Sequence, residues 1–152
     1  MEKYKKQQSD RLLFMGILLF FLGLVVGLLI PLMINHRMGL TTHLEGILNG
    51  IFLAVLGLIW NRLELSAIWL KVTFWLALYG SFANFFATLI AAITGSGKLM
   101  PLAGGQGGQT IMDAVISFML ISLSIAMLFM CVIILTGLYK LINFKGDNES
   151  KN

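Results

Sequence analysis

His43 is the histidine best placed to do chemistry. It opens an apolar stretch, and Gly46 and Gly50 follow at three and seven residues, on the same face of a helix. An imidazole beside a glycine-cleared face suits an axial ligand of haem iron, because a porphyrin needs a flat, close approach. An interfacial histidine wetted by lipid headgroups fits the same position. The other histidine, His36, falls in a link between apolar stretches. With so few histidines, a bound iron would have one protein ligand and one open position, unless a methionine supplies the second.

Four further side chains carry polar chemistry inside apolar sequence. Glu45 and Asp113 are acids, and a charge at mid-bilayer costs ~2.5–3.5 kcal/mol even on insertion scales. Proton handling is one role for them. Capping is the other, since Thr42-x-x-Glu45 and Thr110-x-x-Asp113 both match a capping box at the start of an apolar run. Asn49 stands four residues after Glu45, on the same face, and Asn84 stands four before Thr88. A buried amide needs partners, and either a neighbouring helix or a substrate satisfies it.

The elements that position these residues follow from composition. The chain has 152 residues, 58% hydrophobic and 12% charged, with a net charge of +4. So little charge cannot cover a water-facing surface, which excludes a soluble enzyme and a disordered chain. Its single cysteine, Cys131, excludes an intrachain disulfide or a multi-cysteine metal site, and its position predicts a core residue. The basic residues cluster at the ends, a membrane pattern rather than a nucleic-acid one.

The sequence predicts a single-domain, all-α, integral membrane four-helix bundle. Its spans are about 12–34, 42–60, 66–94 and 110–144, each long enough to cross a bilayer. Lys3, Lys5, Lys6, Arg11, Arg62, Lys71, Lys140, Lys145 and Lys151 share one side, against Arg37 and Lys98 on the other. That excess predicts both termini in the cytoplasm and the glycine-rich loop 95–109 outside. The tails, 1–10 and 145–152, read as polar, mobile ends. Gly16, Gly23 and Gly27 form a small-residue face on the first helix, and Gly80, Ala83, Ala87 and Ala91 form one on the third. Gly95-Ser96-Gly97-Lys98 is not a phosphate loop, because Leu99 follows the lysine and no strand precedes it.

The stretch Arg37-Met38-Gly39-Leu40-Thr41-Thr42-His43-Leu44-Glu45-Gly46-Ile47-Leu48-Asn49-Gly50 resembles the hydroxylaminobenzene mutase family of small four-span membrane proteins. The resemblance continues through Leu56-Gly57-Leu58-Ile59-Trp60, Ala83-Asn84, Gly95-Ser96-Gly97-Lys98 and Ala103-Gly104-Gly105. More distantly the chain is similar to styrene oxide isomerase, which uses ferric haem b as a Lewis acid. That likeness implies His43, on the face that Gly46 and Gly50 clear, as axial ligand of haem b, and Asn49 at the substrate pocket. It also implies a homotrimer with haem near subunit contacts. The likeness breaks on the third helix, where Gly80 and Thr88 stand in place of a pocket aspartate and tyrosine, with Tyr79 adjacent but out of register.

The implied reaction moves the hydroxyl of an arylhydroxylamine from nitrogen to the ring, giving an aminophenol. Asn49 and Asn84 would orient the substrate, and Glu45 or Asp113 would carry a proton. The expected setting is a bacterial inner membrane, with no nucleic-acid partner. The alternatives are an epoxide isomerase, a small transporter and a non-catalytic haem anchor. A four-span transporter typically needs an acid in its first helix, which is missing here, and an anchor needs a second axial ligand.

Overall fold

The computed structural model describes residues 2–105, 107 and 110–149; the side chains of Thr110 and of 144–149 lie outside the described residues. Four helices form the chain: α1 (Glu2–Leu29), α2 (His36–Ile59), α3 (Ala67–Thr94) and α4 (Thr110–Glu149). No strand occurs among the described residues. All four helices are long and apolar enough to span a membrane.

Local chemistry sets the boundaries. Pro31 ends α1 in a 3-10 turn, because it lacks an N–H and clashes with the preceding turn. Asn35 then caps α2, its Oδ1 accepting from the Met38 N–H at 3.1 Å. The helix therefore starts at His36, six residues before the position predicted from hydropathy. Two expectations are corrected by this. His36 is helical rather than in a loop, and Thr42 and Glu45 are not a capping box. Thr42 sits in the second turn and donates its hydroxyl to the Met38 carbonyl. At its far end α3 closes on Gly95, whose φ of 74° is a left-handed conformation open to glycine at little cost.

The N-terminal tail is not a mobile end. It is the first part of α1, and it docks on the end of α2. Ser9 donates to the Gly57 carbonyl at 2.7 Å, and Trp60 Nε1 donates to Gln8 Oε1 at 3.2 Å. Trp60 is fully buried here, edge-on to Phe74 at 6.3 Å between ring centres. The C-terminal helix likewise runs on to Glu149, and residues 150–152 lie outside the described residues.

Packing follows chain order in the main. α1 lies along α2, α2 along α3 and α3 along α4, with a smaller contact between α1 and α3. The α1–α2 seam is the tightest. A Cβ on Gly16 would lie 2.6 Å from the Ala54 nitrogen, and one on Gly46 would lie 2.5 Å from the Gly23 Cα. A Cβ on Gly50 would lie 2.6 Å from the Phe20 nitrogen. The backbones are in direct contact, as small-residue faces permit. The other seams use larger side chains, Phe74 and Phe85 on α3 and Ile116, Met130 and Ile134 on α4.

At the end of the molecule that holds Asn35, the loop after α3 is stitched down. Asn35 Nδ2 donates to the carbonyls of Ala103 and Gly104 at 3.2 and 2.9 Å. Asp113, in the first turn of α4, accepts from the Gly97 N–H at 3.0 Å. Cys131 is exposed on α4, not in the core; the α4 positions that reach α3 are others, such as Met130 and Ile134.

Candidate active site on two flanks of helix α2

Three of the polar side chains singled out from sequence meet. Asn49 Nδ2 donates to Glu45 Oε2 at 2.9 Å, one turn along α2. Asn84 Nδ2, from α3, donates to the same oxygen. One carboxylate oxygen thus takes two amide donors, one from its own helix and one across the α2–α3 seam. Charge-assisted bonds of this kind hold a carboxylate in one orientation. Both bonds go to Oε2, and Glu45 Oε1 accepts no hydrogen bond among the described residues.

His43 stands apart from this cluster. Its Nδ1 lies 2.8 Å from the Gly23 carbonyl oxygen, on α1. A carbonyl only accepts, so in the neutral ring Nδ1 carries the proton and Nε2 keeps its lone pair. Metal-binding histidines are usually oriented in this manner. At about 100° per residue, the helix turns Glu45 nearly opposite to His43 and Asn49 about 120° away from it. The likeness to styrene oxide isomerase implies His43 and Asn49 at one pocket; within one chain there are two flanks, His43 facing α1 and the carboxylate–amide cluster facing α3.

The glycine face also has a different occupant from the one expected. Gly46 and Gly50 abut Gly23 and Phe20 of α1, so α1 fills the space foreseen for a porphyrin. The glycine that serves His43 is Gly27. A Cβ there would lie 2.6 Å from His43 Nδ1 and 2.9 Å from Cε1. The sequence displays Gly27 only as part of a packing stripe; its spacing of four from Gly23 is the sole sign that it flanks the carbonyl orienting the ring. Replacing Gly27 by alanine is expected to push the imidazole off Gly23 and to lower activity while leaving the helices formed. Circular dichroism and a turnover assay on the same preparation check this, and wild-type turnover would show that the ring needs no such seat.

Asp113 serves neither flank through the bond seen here; it ties Gly97 to α4, and Lys98 N–H also points to it at 3.4 Å. The partner of its capping box, Thr110, has its side chain outside the described residues. On α3, Thr88 returns its hydroxyl to its own helix and Tyr79 bonds Ser122 of α4 at 2.6 Å. A Cβ on Gly80 would run into the Met127 side chain. An apolar groove of about 540 Å³, lined by Met15, Leu18, Trp75, Leu78, Tyr79 and Phe82, contains none of the candidate polar residues except that bonded tyrosine.

A family model for styrene oxide isomerase matches residues 8–139. The chain belongs to the styrene oxide isomerase family. Hydroxylaminobenzene mutase HabB of Ectopseudomonas oleovorans is 50% identical over 132 residues, covering 86% of this chain and 80% of that one. Hydroxylaminobenzene mutase HabA of the same organism is 44% identical over 127 residues, covering 82% and 94%. No solved structure matches. This member of the styrene oxide isomerase family is therefore an enzyme of the isomerase–mutase class.

The donor set bears on a cofactor. Among the described residues no three histidine, cysteine or acidic side chains converge as a metal site. A metal held by His43 would have to bring most of its ligands with it, as porphyrin iron does. The oriented imidazole fits such an axial bond, whereas Gly46 and Gly50 do not form the bed for the ring.

Proposed function

We propose that the protein is an arylhydroxylamine mutase, converting a substrate such as hydroxylaminobenzene to an aminophenol. The observation that carries this reading is the Glu45 carboxylate clasped by Asn49 and Asn84. The names of the two relatives support it. The reaction is an isomerisation and needs no redox equivalents. The N–O bond breaks, a C–O bond forms on the ring, and one ring proton moves to nitrogen. Glu45 Oε1 takes the ring proton and returns it. Asn49 and Asn84 hold the carboxylate in place for that transfer. The apolar helices keep bulk water from capturing the cationic ring.

Haem b is the proposed cofactor, with His43 Nε2 as the group that would hold it. It would supply an electrophile that polarises the hydroxylamine. We further propose the homotrimer, with haem near subunit contacts, that the likeness to styrene oxide isomerase implies; the division of the site into two flanks supports contact between copies. A ligand on the His43 flank meets a carboxylate–amide cluster only if a neighbouring copy brings one. We place both termini in the cytoplasm of a bacterial inner membrane, on the excess of basic residues at that end. In this placement the haem lies in the outer half of the bilayer.

The test is a purified preparation incubated with hydroxylaminobenzene in 18O-labelled water. Aminophenol carrying unlabelled oxygen is expected, because the hydroxyl migrates within one molecule. No aminophenol, or fully labelled product, would overturn the mutase reading. Epoxide isomerisation is the second reading, favoured by the name of the matching family model. Styrene oxide is the substrate for that arm, and conversion to an aldehyde without aminophenol formation would put it ahead.

A further inference from the structure

Ser81 is fully buried, and its Oγ is the one enclosed side-chain polar atom without a hydrogen-bond partner among the described residues. Other buried hydroxyls in the helices have partners, Ser9 at the Gly57 carbonyl of α2 and the rest locally. Thr42, Thr73 and Thr88 each donate to a carbonyl three or four residues earlier in their own helix. An enclosed hydroxyl left unpaired is costly, and such groups in folded proteins call for an explanation.

The position of Ser81 supplies one. It lies three residues before Asn84, on the side of α3 that faces α2. Two contacts fix the register of this seam: Asn84 with Glu45, and Phe85 against Gly46. The helices run antiparallel. Three residues back from Asn84 and three forward from Glu45 reach Ser81 and Leu48, and four from Phe85 and Gly46 reach Ser81 and Gly50, so Ser81 is level with the stretch 48–50 that carries Asn49. The Trp60–Phe74 ring contact continues the same seam. Asn49 spends its amide nitrogen on Glu45, and its Oδ1 accepts nothing among the described residues. A donor without an acceptor and an acceptor without a donor therefore lie at one level of the α2–α3 seam.

We propose that Ser81 is a substrate-binding residue that donates its hydroxyl to the oxygen of the N-hydroxyl group. Asn49 Oδ1 accepts from the same polar head. This rests on the mutase reading above and gives it a specificity element: the pair recognises the N–OH group rather than the ring. Both residues are almost fully enclosed, so binding parts the seam there. Glu45 then stands one turn from the migrating oxygen, on the Asn49 side.

Ser81→Ala and Ser81→Cys test the proposal against wild type, with hydroxylaminobenzene as substrate and aniline, which lacks the oxygen, as competitive inhibitor. Ser81→Ala is expected to lower kcat/KM about tenfold, with Ser81→Cys in between, because one neutral hydrogen bond is lost. Inhibition by aniline should not change. Thermal stability should hold or rise, since the variant removes an unpaired group. Unchanged kcat/KM in Ser81→Ala would overturn the proposal, and so would a clear loss of stability, which would reveal a protein partner for the hydroxyl. If Ser81→Ala and wild type turn over equally, only the Ser81 assignment fails. If wild type forms no aminophenol, the mutase reading fails with it.

Discussion

Replacing His43 by alanine is expected to abolish aminophenol formation and any haem-type absorbance that the purified wild-type protein carries. The ring is seated by the Gly23 carbonyl with Nε2 left to ligate, and no other histidine lies within the spans except exposed His36. Loss of an electrophile worth several kcal/mol of transition-state stabilisation corresponds to about 10²–10³-fold or more in rate. His36→Ala is the matched control. It changes the first residue of α2, whose cap is Asn35, and should retain both spectrum and turnover. Added imidazole should restore part of the absorbance to a His43→Gly variant. A His43→Ala protein with the wild-type spectrum and full turnover would remove His43 from the site.

Glu45→Gln and Glu45→Leu should fail in different ways. Glutamine keeps one oxygen to accept from Asn49 and Asn84, so the α2–α3 clasp survives and thermal stability changes little. It cannot carry the proton, and turnover should fall by about 10²-fold or more. Leucine leaves two amides without their acceptor, at about 1–3 kcal/mol for each group that stays buried. That variant should lose stability as well as activity. Melting temperature and the pH profile of turnover, measured on both variants, separate the two effects. A Glu45→Gln enzyme with wild-type rate and an unchanged pH profile would reduce Glu45 to a structural clasp.

Much of this arrangement is legible in the residue order, and the gaps have physical causes. The four helices follow from apolar length, and the Glu45–Asn49 pair follows from a spacing of four. The third member, Asn84, is marked only as a buried amide in need of a partner. Its choice of Glu45 depends on how α3 lies against α2, which no local pattern encodes. The glycine faces are equally visible, but a cleared face does not name its occupant. Gly46 and Gly50 admit either a flat ligand or a second backbone, and α1 takes the space. The start of α2 is displaced because hydropathy weighs His36 and Arg37 as polar, whereas the cap at Asn35 already makes them helical. Gln8 and Ser9 look like tail residues for the same reason, although each pairs with the end of α2.

Because each helix packs on its neighbour in the chain, every partner of a newly made helix is already in place as synthesis proceeds. The α1–α2 pair, joined by a link of only a few residues, closes with little loop entropy to overcome. Assembly can advance one helix at a time, through short-range pairings of the kind associated with fast folding. Substitutions of Gly16 or Gly50 would then act at the first step of biogenesis, reducing the amount of protein inserted rather than the rate of each molecule that matures.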